Sequence, residues 1–348
     1  MSAWGDFHRV TGAGWAVYWR IPDPRAGGLE VWWADFQGRR CMWKGSQPFA
    51  IVPYHHPVAG DPDPPEYTYK DGLGAMCGGV EFYALKSNAP NDDLRTQPQW
   101  YAANDLEAVD VSTDLATSFG PAELVIQAKF QCGWYQYVHR WEFNSYGEIH
   151  ADLGMGGKLN PFDPSKAHVH HMYFRIDLDI DGFSSDVFEV FRHDGFDDTV
   201  DGDVWTTQNK QGKHLLDPPS ARKFRVRDLK STVSGTGPTR GYEIEVPALA
   251  GTDTHSTGDV WATVYRGDTF QTGEDVGMPG CSDAVLEKYA TGPLDTANGS
   301  DVVLWVAVRH HHEPRWAAEE STHLPYHYEG FHIIPRGFAA RTPRLTGR

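Results

Sequence analysis

The 348-residue chain carries 31 Lys and Arg against 47 Asp and Glu, a formal net charge of −16. That balance argues against nucleic acid as a partner, since its binding is carried by basic surface, and suits cationic substrates, which an acidic field concentrates. Forty per cent hydrophobic residues and 13 tryptophans supply a substantial core, while no stretch approaches the roughly 18 apolar residues of a membrane helix. The N-terminus, MSAWGDFHRV, lacks the apolar run of a signal peptide, so a cytoplasmic protein is expected.

Strand signals recur in chain order: GLEVWWADF (28–36), CGGVEFYAL (77–85), ELVIQAKFQCGWYQYVHRWEF (123–143), SDVFEVF (185–191), KFRVRDL (223–229), GYEIEVPAL (241–249), DVWATVYRG (259–267), SDVVLWVAVRHHH (300–312) and EGFHIIP (329–335). They are rich in β-branched and aromatic residues, often with period two. In the third of them Tyr135 stands mid-strand among other aromatics. Proline- and glycine-rich turns such as PDPRAGG, GDPDPP, KLNPFDPSK and SGTGPTRG separate the runs. The best helical piece is short, near SDAVLEKYA. No internal repeat or flexible linker marks a boundary, so the expectation is all-β: one domain over 1–348, a large antiparallel β-sandwich. Cys41, Cys77, Cys132 and Cys281 are widely spaced, with neither a disulfide framework nor a zinc-ribbon pattern.

The stretch AHVHHMYFRIDLDIDG (167–182) is the most informative. Alternate strand residues share a face. His168, His170, Met172, Phe174, Ile176, Leu178 and Ile180 therefore form one face, and His171, Tyr173, Arg175, Asp177, Asp179 and Asp181 the other. Two histidines thus project together at the end of an apolar face, with a carboxylate pair on the reverse. Residues 300–312 repeat the design: Val302, Leu304, Val306, Val308, His310 and His312 on one face, Asp301, Val303, Trp305 and Ala307 on the other. An H-x-H pair is weak evidence by itself in a chain with 17 histidines; a second strand of the same design makes a three-imidazole site, which suits copper or zinc.

These residues resemble the copper amine oxidases. In that family an H-x-H runs into R-L-D-x-D-x-D-G, matched here by His168-Val-His170 and Arg175 through Gly182. The third copper ligand follows a D-I-V-L-W strand, matched by Asp301–Trp305, which puts His312 in register with Pro314 two positions on; His310 and His311 lie within a small register error. The resemblance implies a peripheral calcium or manganese site from Asp177, the Leu178 carbonyl, Asp179 and Asp301. IVPYHH resembles the family's V-V-P-Y, which makes Tyr54 the partner of the cofactor's ring oxygen. The closing GFHIIPRGFAARTPRL resembles the family's last strand and tail. The resemblance thus covers nearly the whole chain, without the family's smaller N-terminal domains.

In the family, copper and oxygen convert a tyrosine in T-x-x-N-Y-[DE]-Y to topaquinone. Ungapped alignment puts Tyr135 on that tyrosine and Tyr137 on the next one, but Gln131, Trp134 and Gln136 stand where threonine, asparagine and an acid are expected. The family's catalytic base corresponds to Asp71 in TYKDGLG, whereas another gap placement puts Tyr67 there and leaves no base. Cys77 resembles half of a family disulfide whose second half is missing. The implied reaction consumes a primary amine, O2 and water and yields aldehyde, ammonia and hydrogen peroxide, in a homodimer. The alternatives are a copper enzyme of this fold with unmodified Tyr135 and another oxidative, conceivably biosynthetic, reaction, or a non-catalytic metal-binding sandwich.

Overall fold

A computed structural model describes residues 5–22, 28–54, 67–72, 79–85, 109–114, 121–157, 159–160, 166–193, 203–216, 223–235, 237–247, 255–266, 282–312 and 324–338. They form two antiparallel sheets. The first runs, in spatial order, His8–Gly12, Trp15–Arg20, Glu30–Phe36, Arg39–Tyr54, His168–Asp177, Val302–His312, Val260–Val264 and Gly212–His214, with Tyr67–Gly72 also pairing onto Arg39–Tyr54. The second runs Asp203–Thr207, Asp186–His193, Lys223–Thr232, Thr239–Glu245, Leu324–Arg336, Ile149–Gly157, Tyr135–Asn144, Glu123–Cys132 and Tyr83–Ala84, with Val109–Asp114 pairing onto Glu123–Cys132.

Period-two patterning decides which faces meet. From the first sheet Met172, Phe174, Ile176, Val302, Leu304, Val306 and Val308 enter one buried cluster with Phe130, Tyr137, Trp141, Leu153 and Phe331 of the second. The reverse of the first sheet is covered locally: Tyr173, Trp261, Trp305 and Ala307 pack with Leu286 of the short helix Ala284–Tyr289. The expected large antiparallel sandwich is what forms. Among the described residues no helix is long and apolar enough to cross a membrane.

Two local expectations change. The run 123–143 is not one strand: Glu123–Cys132 and Tyr135–Asn144 pair from Glu123↔Asn144 to Cys132↔Tyr135, joined by Gly133 and Trp134. Gly133 has φ +58°, which a type II′ two-residue hairpin asks of its first central residue. Tyr135 therefore opens a strand. The strand also ends at Asp177, and although Leu178 and Ile180 still enter the core, Asp181 takes φ +65° and pairs with Arg39 and Arg240 rather than joining Asp177 and Asp179. Cys41 and Cys132 are buried free thiols; Cys77, Cys281 and Pro314 lie outside the described residues.

Gly157 holds the Tyr135 hairpin from the neighbouring strand. It has φ +94°, and a Cβ there would lie 2.8 Å from Gln136 N and 2.9 Å from Trp134 O. Backbone cannot yield as a flexible side chain does, so Gly157→Ala is expected to cost about 1–3 kcal/mol. The shift of the denaturation midpoint measures it.

Candidate metal centre

Four strands of the first sheet bring a row of rings together. His168 pairs with His312 on one side and Tyr54 on the other, and Tyr54 pairs with Tyr67. Direct partners share a face, so Tyr54 stacks on His168 at 4.5 Å and on Tyr67 at 4.9 Å between ring centroids. Two residue pairs further along, and so on the same face, His170 faces His310. The imidazoles that converge are His168, His170 and His312, each offering a ligand atom within 4.8 Å of the others. His310 instead turns Nδ1 to Glu329 at 3.1 Å.

Hydrogen bonds fix the ring nitrogens. His168 Nδ1 faces the Lys166 carbonyl at 2.9 Å, and since a carbonyl only accepts, the proton is on Nδ1. Nε2 is left unprotonated, 3.2 Å from His312 Nδ1. The Tyr137 hydroxyl donates to Asp71 Oδ2 at 2.8 Å, so its 3.4 Å contact with His170 Nδ1 requires His170 to donate and leaves that ring's Nε2 unprotonated as well. Burial and neighbouring imidazoles push His168 down to about 3 and His312 to about 4, and hold His170 well below the usual range. All three are thus neutral near pH 7, the form that binds a metal ion. The donor set fits copper, with partners behind two of the rings that orient them.

The second sheet brings Tyr135 against this centre. Its hydroxyl donates to His168 Nε2 at 2.7 Å and accepts from Tyr54 at 3.2 Å. Tyr54 in turn accepts from Trp134 Nε1 at 3.4 Å. Tyr135 is 3% exposed, and burial pushes its phenol up. Asp71 and Tyr135 line one narrow pocket with Tyr54, Tyr69, Cys132 and Trp134. Burial lifts Asp71 to about 6, against the hydrogen bonds from Tyr137 and Cys132 that favour its ionised form. Tyr67, the other gap placement, is spent on stacking with Tyr54.

Two of the three residues that depart from the family motif, Gln131 and Gln136, bond to one another. Gln131 Nε2 donates to the Tyr135 and Gly133 carbonyls at 2.9 and 2.7 Å. Gln136 Nε2 donates to Gln131 Oε1 at 3.2 Å, and Tyr326 donates to Gln136 Oε1 at 2.6 Å. Sequence reading missed Tyr326 and the contact of Cys132 with Asp71. For Cys132 a signal existed: a two-residue turn at Gly133–Trp134 puts it directly opposite Tyr135.

On the reverse of the first sheet Asp177, Asp179 and Asp301 converge within 4.8 Å, as their parity demanded. They line a small cavity with Trp43, Phe183 and Tyr265. Leu178 is buried in the core, so only its backbone can serve them. Burial pushes Asp177 to about 6, Asp301 to about 7 and Asp179 to about 8, with mutual repulsion adding to the last two. Asp179 Oδ1 and Asp301 Oδ1 are buried without a hydrogen-bond partner among the described residues. So are both carboxylate oxygens of Asp186, which sequence reading did not single out; its backbone bridges to Ser300, next to Asp301. Unpartnered buried carboxylates of this kind fit a hard cation.

A family model described as copper amine oxidase, enzyme domain, matches residues 109–347. Primary amine oxidase 2 of Arabidopsis thaliana is 23% identical over 263 residues, which are 64% of this chain and 38% of that protein. The peroxisomal copper-containing amine oxidase alpha 2 of the same plant is 26% identical over 236 residues, 61% of this chain and 33% of that protein. The chain thus matches about a third of the length of these relatives. A copper-containing benzylamine oxidase from Hansenula polymorpha superposes with a TM-score of 0.68 at 20% identity, covering 100% of this chain and 62% of that one. Pichia pastoris lysyl oxidase gives 0.58 at 13% identity, covering 95% and 52%. The two structural likenesses carry the fold, and the family match, which spans more than half of the sequence, carries the assignment: this chain belongs to the copper amine oxidase family.

Proposed function

We propose that this protein oxidises a primary amine with O2 and water to aldehyde, ammonia and hydrogen peroxide, and that Tyr135 is the tyrosine converted to topaquinone. The observation that carries the reading is the Tyr135 hydroxyl, 2.7 Å from His168 Nε2 of the triad, in the pocket that also holds Asp71. His168, His170 and His312 would hold copper, which would supply the electron transfer with O2 that oxidation of the ring and of the amine both need. The remaining roles belong to the chain. Tyr54 orients the Tyr135 oxygen, Tyr137 holds the Asp71 carboxylate toward the pocket, and Asp71 takes the proton from the substrate's α-carbon. Trp134 and Tyr69 wall the pocket against water. Family likeness makes a homodimer the expected assembly.

The test is to load metal-free protein with Cu²⁺ in air, then follow peroxide release with simple primary amines and reaction with phenylhydrazine. Turnover together with a coloured hydrazine adduct supports the reading; neither, in protein with copper bound, sinks it. One observation favours a second reading, a copper oxidase with unmodified Tyr135. Trp134 replaces the motif's asparagine and is tied to Tyr54, which leaves the Tyr135 phenol pinned between Tyr54 and His168.

Asp177, Asp179, Asp301 and the Leu178 carbonyl are proposed to hold calcium or manganese. Stripping it leaves converging carboxylates that repel one another, so EGTA is expected to lower the melting temperature and Ca²⁺ to restore it. At a hundred-fold excess over Kd the gain is about 2.7 kcal/mol. Thermal melts with and without chelator measure it.

A further inference from the structure

Three more side chains face the metal centre across the mouth of the sandwich, and no step above uses them. His310 lies on the same strand face as His312, opposite His170. From the second sheet His327 pairs with Met155 and Glu329 with Leu153. Met155 and Leu153 point into the core, so their direct partners His327 and Glu329 point inward too, toward the first sheet. His310 Nδ1 meets Glu329 Oε1 at 3.1 Å, and the His310 and His327 rings lie nearly parallel with centroids 5.9 Å apart. Among the described residues no lysine or arginine pairs with Glu329.

Two imidazoles and a carboxylate are a donor set for a divalent first-row metal. Glu329 brings one negative charge, which offsets part of the ion's charge without an additional anion. The His310 ring is 6.2 Å from that of His312, whose ring is in turn 4.8 Å from that of His168. Burial deepens along this series. His327 is exposed, the His310 and Glu329 side chains are 21% and 25% exposed, and His168 and His170 are 1% exposed. Among the described residues His327, His310 and Glu329 thus form a graded series from solvent toward the triad.

We propose that His310, His327 and Glu329 form a second transition-metal site at the mouth of the sandwich, which takes Cu²⁺ from solvent and passes it by way of His312 to the buried triad. Closing this site requires the exposed His327 side chain to change rotamer, a motion its exposure permits on a fast timescale. The donor set stands by itself; the loading role rests on the triad as the tight copper site.

The experiment uses the full metal-free chain, with Ca²⁺ present to fill the oxygen site and Cu²⁺ alone as the probe. In a H168A/H170A background one copper per chain is expected to remain, bound more weakly and with nitrogen hyperfine structure in its EPR spectrum, and adding H327A and E329Q removes it. In the otherwise unaltered chain, H327A/E329Q is expected to slow filling of the triad at one equivalent of copper by about ten-fold, with the final affinity of the triad unchanged. Both substitutions are at partly exposed positions, and that unchanged affinity is the check on folding. No copper in the H168A/H170A protein, unaltered binding after H327A and E329Q are added, or an unaltered filling rate would each overturn the proposal. If H168A/H170A instead keeps the tightest site of the unaltered chain, the triad assignment falls and the loading role falls with it.

Discussion

Asp71→Asn is expected to lower kcat for a primary amine by about 10²- to 10⁴-fold, the usual contribution of a positioned general base. The substitution keeps the shape of the side chain and its contact with Tyr137 while removing the group that accepts the proton. Burial lifts Asp71 above its ordinary value, to about 6. Because a base acts in its ionised form, kcat/KM should fall about ten-fold per pH unit well below 6 and level off above it. Asp71→Asn should lose that acid limb along with the rate. Tyr137→Phe should move the limb to higher pH, because it removes a hydrogen bond that favours the carboxylate. A pH–rate profile of the three proteins decides the matter, and an unaltered acid limb in Asp71→Asn would show that another group titrates.

His312→Ala carries the second large effect. It leaves His168 and His170, two buried neutral imidazoles, without the third donor that completes the site. Tight copper binding should be lost, read as copper retained per chain after gel filtration, and the oxidation of Tyr135 should be lost with it. His310→Ala should leave the final affinity of the tight site unchanged. Copper retained by His312→Ala at the affinity of the unaltered chain, and still held when His327 and Glu329 are also replaced, would move the third ligand to His310 or His311.

The convergence of His168, His170 and His312 was legible because strand parity is a local property. Two strands with apolar faces ending in histidine must pair face to face if they are neighbours, and the register His168↔His312 realises this. The same parity put Asp177, Asp179 and Asp301 on the opposite face, where they converge. What stayed hidden depends on chain topology. Nothing in YHYEGFHIIP (326–335) says that Glu329 and His327 will cross the sandwich to meet His310, or that Tyr326 will reach Gln136. Asp186 read as an ordinary strand residue until its bridge to Ser300 placed its unpartnered carboxylate near Asp301. The turn at Gly133 was misread for another reason. Strong β-formers on both sides outweighed a single glycine in the pattern, whereas in the folded chain that glycine's positive φ starts a new strand.

The central claim is that Tyr135 occupies the cofactor position of a copper amine oxidase and is oxidised there. Mass analysis of the peptide containing Tyr135, from protein loaded with Cu²⁺ in air, tests it most directly. The account predicts a gain of two oxygens and a loss of two hydrogens at that residue, in the unaltered chain but not in His312→Ala. An unmodified Tyr135 in copper-loaded protein that still oxidises amines would contradict it.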